Sequence, residues 1–101
     1  MPEFKHLFTP IHLGNLKLKN RIVLPAMETH MADPNGYVTD PMISYYRERA
    51  KGGAGLIILE NTAVHPEGRV NRGMLCAYDD TYIPRLQVLI SAIHQEGAKV
   101  C

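Results

Sequence analysis

The chain is short of most features that mark a specialised protein. It has no excess of either charge: 11 Lys and Arg stand against 10 Asp and Glu, a formal net charge of +1. No basic stripe interleaved with aromatics runs along it, so nucleic-acid binding has no electrostatic support. It has no long hydrophobic run; stretches such as Leu56-Ile57-Ile58-Leu59 fall far short of the ~20 residues that cross a bilayer. Pro2, Glu3 and His6 interrupt the opening, where a signal segment needs a charged-then-apolar pattern. Two cysteines, Cys76 and Cys101, make no disulfide framework and fit no zinc spacing. Each reads as a buried thiol in a reducing cytoplasm. His6, His12 and His65 have no cysteine or paired carboxylate at ligand spacing, so no metal is expected. There is no internal repeat and no low-complexity tract. No Gly-x-Gly-x-x-Gly follows the first apolar run, which argues against a dinucleotide-binding sheet.

What is present is ordinary globular composition, 46% apolar and 21% charged over 101 residues, enough for at most one small domain. Residues 5–19 alternate loosely, with Gly14-Asn15 as a tight turn, and read as a short hairpin. Residues 21–26 read as a strand, and 28–38 as a loop punctuated by Asp33-Pro34-Asn35-Gly36. Asp40 as N-cap and Pro41 as first helical residue open a helix that Gly52-Gly53 closes. Tyr45 and Tyr46 read as packing residues on it. Arg47, Glu48, Arg49 and Lys51 read as a solvated helix end with a local ion pair. Residues 55–60 form the continuous apolar run of a fully buried parallel strand. A long loop, 61–80, follows, in which Gly68-Arg69 is a turn or a weak ligand candidate. Thr81 is a candidate cap for a helix with Pro84 in its first turn and a Leu86, Leu89, Ile90, Ile93 stripe. His94 suits its C-terminal end. Gly97 ends it, and 98–101 read as the opening of a third strand.

The order hairpin, β, α, β, α, β implies parallel strands joined by right-handed crossovers. Either an open doubly wound sheet or a barrel would contain it. The hairpin ahead of the first strand, placed to plug a barrel floor, favours the N-terminal portion of a (β/α)8 TIM barrel. A whole barrel needs about 250 residues, so the chain reads as the N-terminal piece of something longer. Pro25 cannot donate to a ladder and marks where the first strand stops pairing. A buried strand ending in Pro25-Ala26-Met27 presents free peptide groups at its C-terminal end, where α/β folds bind ligands. Glu60, at the end of the second strand, reads as a structural hydrogen-bonding residue.

Phe8-Thr9-Pro10-Ile11, Leu13-Gly14-Asn15-Leu16, Leu18-Lys19-Asn20-Arg21-Ile22-Val23 and Pro25-Ala26-Met27 resemble the opening of the old yellow enzyme family, the FMN-containing NADH:flavin oxidoreductases. Tyr45-Tyr46-x-x-Arg49-Ala50-Lys51-Gly52-Gly53-Ala54-Gly55-Leu56-Ile57-Ile58 is similar to the first helix and second strand of that family. Gly68-Arg69, Asp79-Asp80 and His94-Gln95-Glu96-Gly97-Ala98-Lys99 continue the likeness, in order and over essentially the whole chain. Pro25-Ala26-Met27 and Glu60-Asn61-Thr62 look most like the branch containing 2,4-dienoyl-CoA reductases and bile-acid-type enoate reductases.

The resemblance implies that residues 1–101 are the N-terminal part of an FMN-binding TIM-barrel domain. It implies hydride transfer from NADH or NADPH to FMN, then to the β-carbon of an electron-poor alkene, a small unsaturated molecule. Pro25, Ala26 and Met27 would lie against the flavin through main-chain groups, and Asn61 would be a second flavin contact. Glu28 stands where many relatives have a Thr or Cys that reaches the flavin. A carboxylate there repels the charge of a reduced flavin, so Glu28 points away, or is partly protonated by burial, or sets a lower flavin potential. His30 falls where some relatives place a substrate-pocket tyrosine; the plainer reading is a solvated loop histidine.

The remaining working parts of the family come after residue 101. They include the pair that binds the substrate carbonyl, the proton-donating tyrosine and the phosphate site from the last two strands. Long members also carry a 4Fe-4S cluster and an FAD-binding domain. No membrane or nucleic-acid partner is implied, and a homo-oligomer is compatible with the sequence. A different class of reading makes the chain a non-catalytic barrel fragment, the assembly partner of a second chain. A barrel enzyme with a phosphorylated substrate is weaker, because no catalytic lysine stands at either strand end.

Overall fold

A computed structural model describes residues 3–101. Pro2, one of the residues read as interrupting a signal segment, lies outside them. No helix among the described residues is long and apolar enough to cross a membrane.

The hairpin forms as the alternation requires. Strands β1 (Ile11–Leu13) and β2 (Leu16–Leu18) pair antiparallel, Ile11 opposite Leu18. Gly14 takes φ +58° in the turn between them, a conformation a side chain resists. The hairpin is fastened to the rest by Asn20, which is 7% exposed. Its amide donates to Gly53 O at 2.7 Å, and its oxygen accepts from Ile22 N at 3.0 Å.

The apolar runs become a three-stranded parallel sheet. Its members are β3 (Val23–Leu24), β4 (Leu56–Ile57) and β7 (Lys99–Val100), in the order β3-β4-β7. Val23 faces Leu56 and Leu56 faces Lys99, one register across all three. The ladders are shorter than the runs that announced them. Pairing nevertheless continues on either side, through Gly55 N to Ile22 O at 2.9 Å and Ile58 N to Leu24 O at 3.0 Å.

Helices α1 (Asp40–Lys51) and α2 (Ile83–Gln95) cover one face of this sheet. Met42, Tyr46, Ile57, Leu89 and Ile93 are essentially inaccessible and share one core cluster, with Leu24 and Val100 packed against it. Burying each large aliphatic side chain contributes ~2 kcal/mol. Leu86 and Ile90, expected on the same stripe, are only half-buried.

Several local expectations are corrected. Thr39, not Asp40, caps α1: its hydroxyl accepts from Met42 N at 3.3 Å, leaving Asp40 free to pair with Arg85 at 2.7 Å. Thr81 does not cap α2, because a 3-10 turn, Asp80–Tyr82, precedes that helix and Asp79 accepts from Thr81 N at 2.9 Å. The stretch read as one loop, 61–80, contains a second parallel pair, β5 (Thr62–Ala63) with β6 (Leu75–Cys76), and a 3-10 turn at Pro66–Gly68. Cys76 is buried as expected, whereas Cys101 is exposed. Among the described residues no local ion pair forms at the end of α1; the Arg49 guanidinium instead stacks 3.7 Å from the Tyr45 ring centroid.

The hairpin meets the α1–β4 connection through Asn20, and Lys19 reaches Glu96 O at 3.5 Å before β7. Both contacts lie at the N-terminal pole of the strands. The opposite pole is left to the segments that follow β3 and β4.

Candidate functional site

Parallel register carries β3 and β4 to the same pole, where Pro25-Ala26-Met27-Glu28 and Glu60-Asn61 emerge. All of these except Glu60 are exposed, Met27 at 49%. The peptide N–H groups of Ala26, Met27 and Glu28 have no hydrogen-bond partner among the described residues. Asn61 brings an exposed carboxamide to the same pole. The result is a shelf of main-chain and amide groups that can both donate and accept.

Glu60 holds the two strand ends together. It is 3% exposed and is surrounded by donors. Its carboxylate accepts from the Thr29 hydroxyl at 2.8 Å, the Tyr46 hydroxyl at 2.8 Å and Thr29 N at 3.4 Å. The Tyr46 oxygen in turn accepts from Glu60 N at 3.1 Å. One buried acid thereby joins the segment after β3, the end of β4 and helix α1, the structural role expected of it. Burial, and then the bond to Glu60, push the Tyr46 hydroxyl well above the ordinary phenol range. The packing role read for Tyr46 is therefore incomplete, since its hydroxyl is part of this network.

Glu28 turns to the loop 64–74. Its Oε1 accepts from Asn71 Nδ2 at 2.7 Å, and His30 Nδ1 lies 4.0 Å from the same oxygen. A carboxylate only accepts, so the Asn71 amide must present its nitrogen to it. That leaves Asn71 Oδ1 buried and without a partner among the described residues, which costs about 1–3 kcal/mol. The His30 side chain is 62% exposed, and its backbone takes φ +59°.

The loop bearing Asn71 is fastened to the loop after β3. Arg69 donates to the carbonyls of Pro34, Arg72 and Asn71, and Ala32 N donates to Gly73 O at 3.3 Å. A Cβ on Gly73 would stand 2.7 Å from His30 O, so the two backbones touch. Gly68-Arg69 is thus a turn followed by a structural clamp.

Sequence reasoning did not single out Thr29, Asn71 or the clamp formed by Arg69. Neither loop residue has a local signature, and Arg69 spans 35 residues to reach Pro34. An open hollow of about 370 Å³ between the helices, lined by Arg47, Gln87, Val88 and Ser91, lies on the outer layer, away from the strand ends. Among the described residues no three His, Cys, Asp or Glu side chains converge to hold a metal ion.

Residues 6–101 match the NADH:flavin oxidoreductase / NADH oxidase family. The chain belongs to this family. An NADH oxidase of Thermoanaerobacter brockii is 44% identical over 101 residues, 99% of this chain and 16% of that protein. Among solved structures, a 2-naphthoyl-CoA reductase in complex with 2-naphthoyl-CoA superposes with a TM-score of 0.93 at 34% identity. That match covers 97% of this chain and 15% of the other. The old yellow enzyme of Pichia sp. AKU4542 gives a TM-score of 0.87 at 30% identity, over 94% of this chain and 25% of that one. The chain therefore spans about a quarter or less of these NADH:flavin oxidoreductase relatives. Its hairpin and parallel strands are the opening portion of their (β/α)8 TIM barrel.

Proposed function

We propose that this chain is part of an FMN-dependent oxidoreductase in which hydride passes from NADH or NADPH to the flavin and on to an activated alkene. The reading rests on family membership and on one observation above all. Strand β3, parallel to β4, delivers to one pole the peptide N–H groups of Ala26, Met27 and Glu28, which have no partner among the described residues, and β4 brings Asn61 to the same pole. Bare N–H donors beside an amide suit the mixed donor and acceptor edge of an isoalloxazine ring. FMN, when bound, supplies a two-electron hydride acceptor and donor.

Within that site the residues of this chain have separate tasks. Pro25 ends the ladder and leaves the following peptides free. Ala26 and Met27 present main-chain groups to the ring, and Asn61 adds its carboxamide from the neighbouring strand. Glu60, Thr29 and Tyr46 fix the spacing of the two strand ends. His30, exposed beside Glu28, contacts the unsaturated substrate. The ene-reductase type of reaction, residues 1–101 as a section of the FMN-binding barrel domain, and a cytoplasmic setting belong to the same proposal.

The test is spectroscopic. The full-length enzyme of which we propose residues 1–101 form a section is expected, once purified, to show an oxidised-flavin absorbance band, to be bleached anaerobically by NADH or NADPH, and to recover its colour when an enone or enoate is added. A full-length protein that takes up no flavin refutes the reading. One that is reduced but reoxidised by no alkene refutes its ene-reductase part.

A further inference from the structure

Glu28 brings a carboxylate to the strand-end pole without a close cationic partner. Among the described residues no Lys or Arg lies within salt-bridge distance, and His30 stands at 4.0 Å. Its one close partner is the neutral amide of Asn71, at 2.7 Å. A counter-cation would cancel much of the carboxylate's field, whereas a neutral donor fixes its position and leaves the charge in place.

Asn71 is itself held from elsewhere. The Arg69 guanidinium binds the carbonyls of Pro34, Asn71 and Arg72, and Gly73 lies against the His30 backbone. The loop is therefore the anchor and Glu28 the group that is anchored. The orientation of the amide agrees. Asn71 keeps its nitrogen on Glu28 at the expense of a buried, unpartnered oxygen, which is not the arrangement that loop stability alone selects.

We propose that Asn71 is a positioning residue for Glu28: it draws the carboxylate onto the 64–74 loop and so limits the negative charge felt by a flavin on the neighbouring peptide shelf. This inference rests on the proposed flavin site. A freed or unscreened carboxylate disfavours the electron-rich reduced flavin, so losing the Asn71 donor lowers the flavin potential. The effect requires Glu28 to be charged.

The experiment is a double-mutant cycle on the flavin-loaded full-length protein, read by spectroelectrochemistry. Asn71→Ala is expected to move the midpoint potential to a more negative value, Glu28→Gln to a more positive one. The Asn71→Ala shift is expected to vanish in the Glu28→Gln background. Asn71→Leu, near in shape and without the orphaned oxygen, repeats the test should the alanine variant fold poorly. A flavin-independent cycle uses amide exchange of the peptides covering residues 25–31 and 64–74. There the two single substitutions are expected to be non-additive by about fivefold or more in opening constant. An unchanged potential, a shift of opposite sign, a shift that persists without the Glu28 carboxylate, or additive exchange effects each overturn the inference. Failure to bind flavin at all refutes the functional reading instead, and the exchange cycle still decides the role of Asn71.

Discussion

Tyr46→Phe isolates the contribution of a single hydroxyl to the strand-end architecture. Tyr46 is 1% exposed, so the ring stays buried in the variant and the transfer term is close to zero. Two bonds disappear. The Glu60 carboxylate loses a donor at 2.8 Å, and Glu60 N loses its acceptor at 3.1 Å. A bond to a charged group contributes about 1.5–3 kcal/mol, and a stranded buried N–H costs about 1–3 kcal/mol more. Their sum, discounted for relaxation, is about 3 kcal/mol. Because 1.4 kcal/mol is a factor of ten, local opening becomes roughly a hundredfold more frequent. Amide exchange read by mass spectrometry on the whole protein is expected to show this in the peptides covering 25–31 and 56–61. Tyr45→Phe is the control. Tyr45 is half-buried and its hydroxyl has no hydrogen-bond partner among the described residues, so exchange is expected to change less than about threefold. Equal effects from the two variants, or less than tenfold from Tyr46→Phe, would show that Glu60 is not holding the strand ends through this hydroxyl.

Thr39→Ala removes the α1 cap and is expected to cost ~1 kcal/mol. Asp40→Ala breaks only an exposed pair with Arg85 and should cost less than that in urea unfolding. Above pH ~10 the unfolded chain releases phenolic protons that the fold retains, since Tyr46 is raised by burial and Glu60, and Tyr82 by its neighbour Tyr78 and then burial. Stability therefore falls as pH rises through that range, and Tyr46→Phe should flatten the slope without abolishing it. Gly73→Ala places a Cβ 2.7 Å from His30 O, a clash with backbone that should cost about 1–3 kcal/mol and raise exchange in 64–74 while sparing α2. Residues 1–101 expressed alone are expected to lose FMN on gel filtration, because β3 and β7 each leave a sheet edge unpaired among the described residues; tight one-to-one retention would refute this.

The larger elements were legible because their signals are local. Ile22-Val23-Leu24 and Leu56-Ile57-Ile58-Leu59 read as buried parallel strands without knowledge of their partners, and the α2 stripe announces its own face. Glu60 was legible for a similar reason: a lone acid closing an apolar run has to find donors. The β5–β6 pair was not legible. Two residues on each side, Thr62–Ala63 and Leu75–Cys76, form no run, and their pairing exists only once the helices have set the loop in place. Thr39 and Asp40 are both good caps one residue apart, and only the backbone decides between them. Asn71 is an unremarkable loop residue until a chain contact 43 positions away gives it a partner.

The strand-end pole thus carries two acids held in the same manner. Glu60 is met by hydroxyls and a peptide N–H, Glu28 by an amide, and no Lys or Arg pairs with either among the described residues. Ion pairing would have been the simpler way to stabilise a carboxylate, and bases are available: Arg69 sits in the same loop as Asn71, yet spends its guanidinium on carbonyl oxygens. Neutral donors satisfy the lone pairs and preserve the field. At an effective dielectric of about 20, a unit charge at ~8 Å from a second contributes ~2 kcal/mol, more than a tenfold bias in any equilibrium that places negative charge nearby. In the flavin site we propose, holding the Glu28 carboxylate on the 64–74 loop limits what an electron-rich group on the shelf feels of that charge. The Arg69 clamp and the contact of Gly73 with the His30 backbone fix the loop that holds Asn71, and through Asn71 the position of the Glu28 carboxylate.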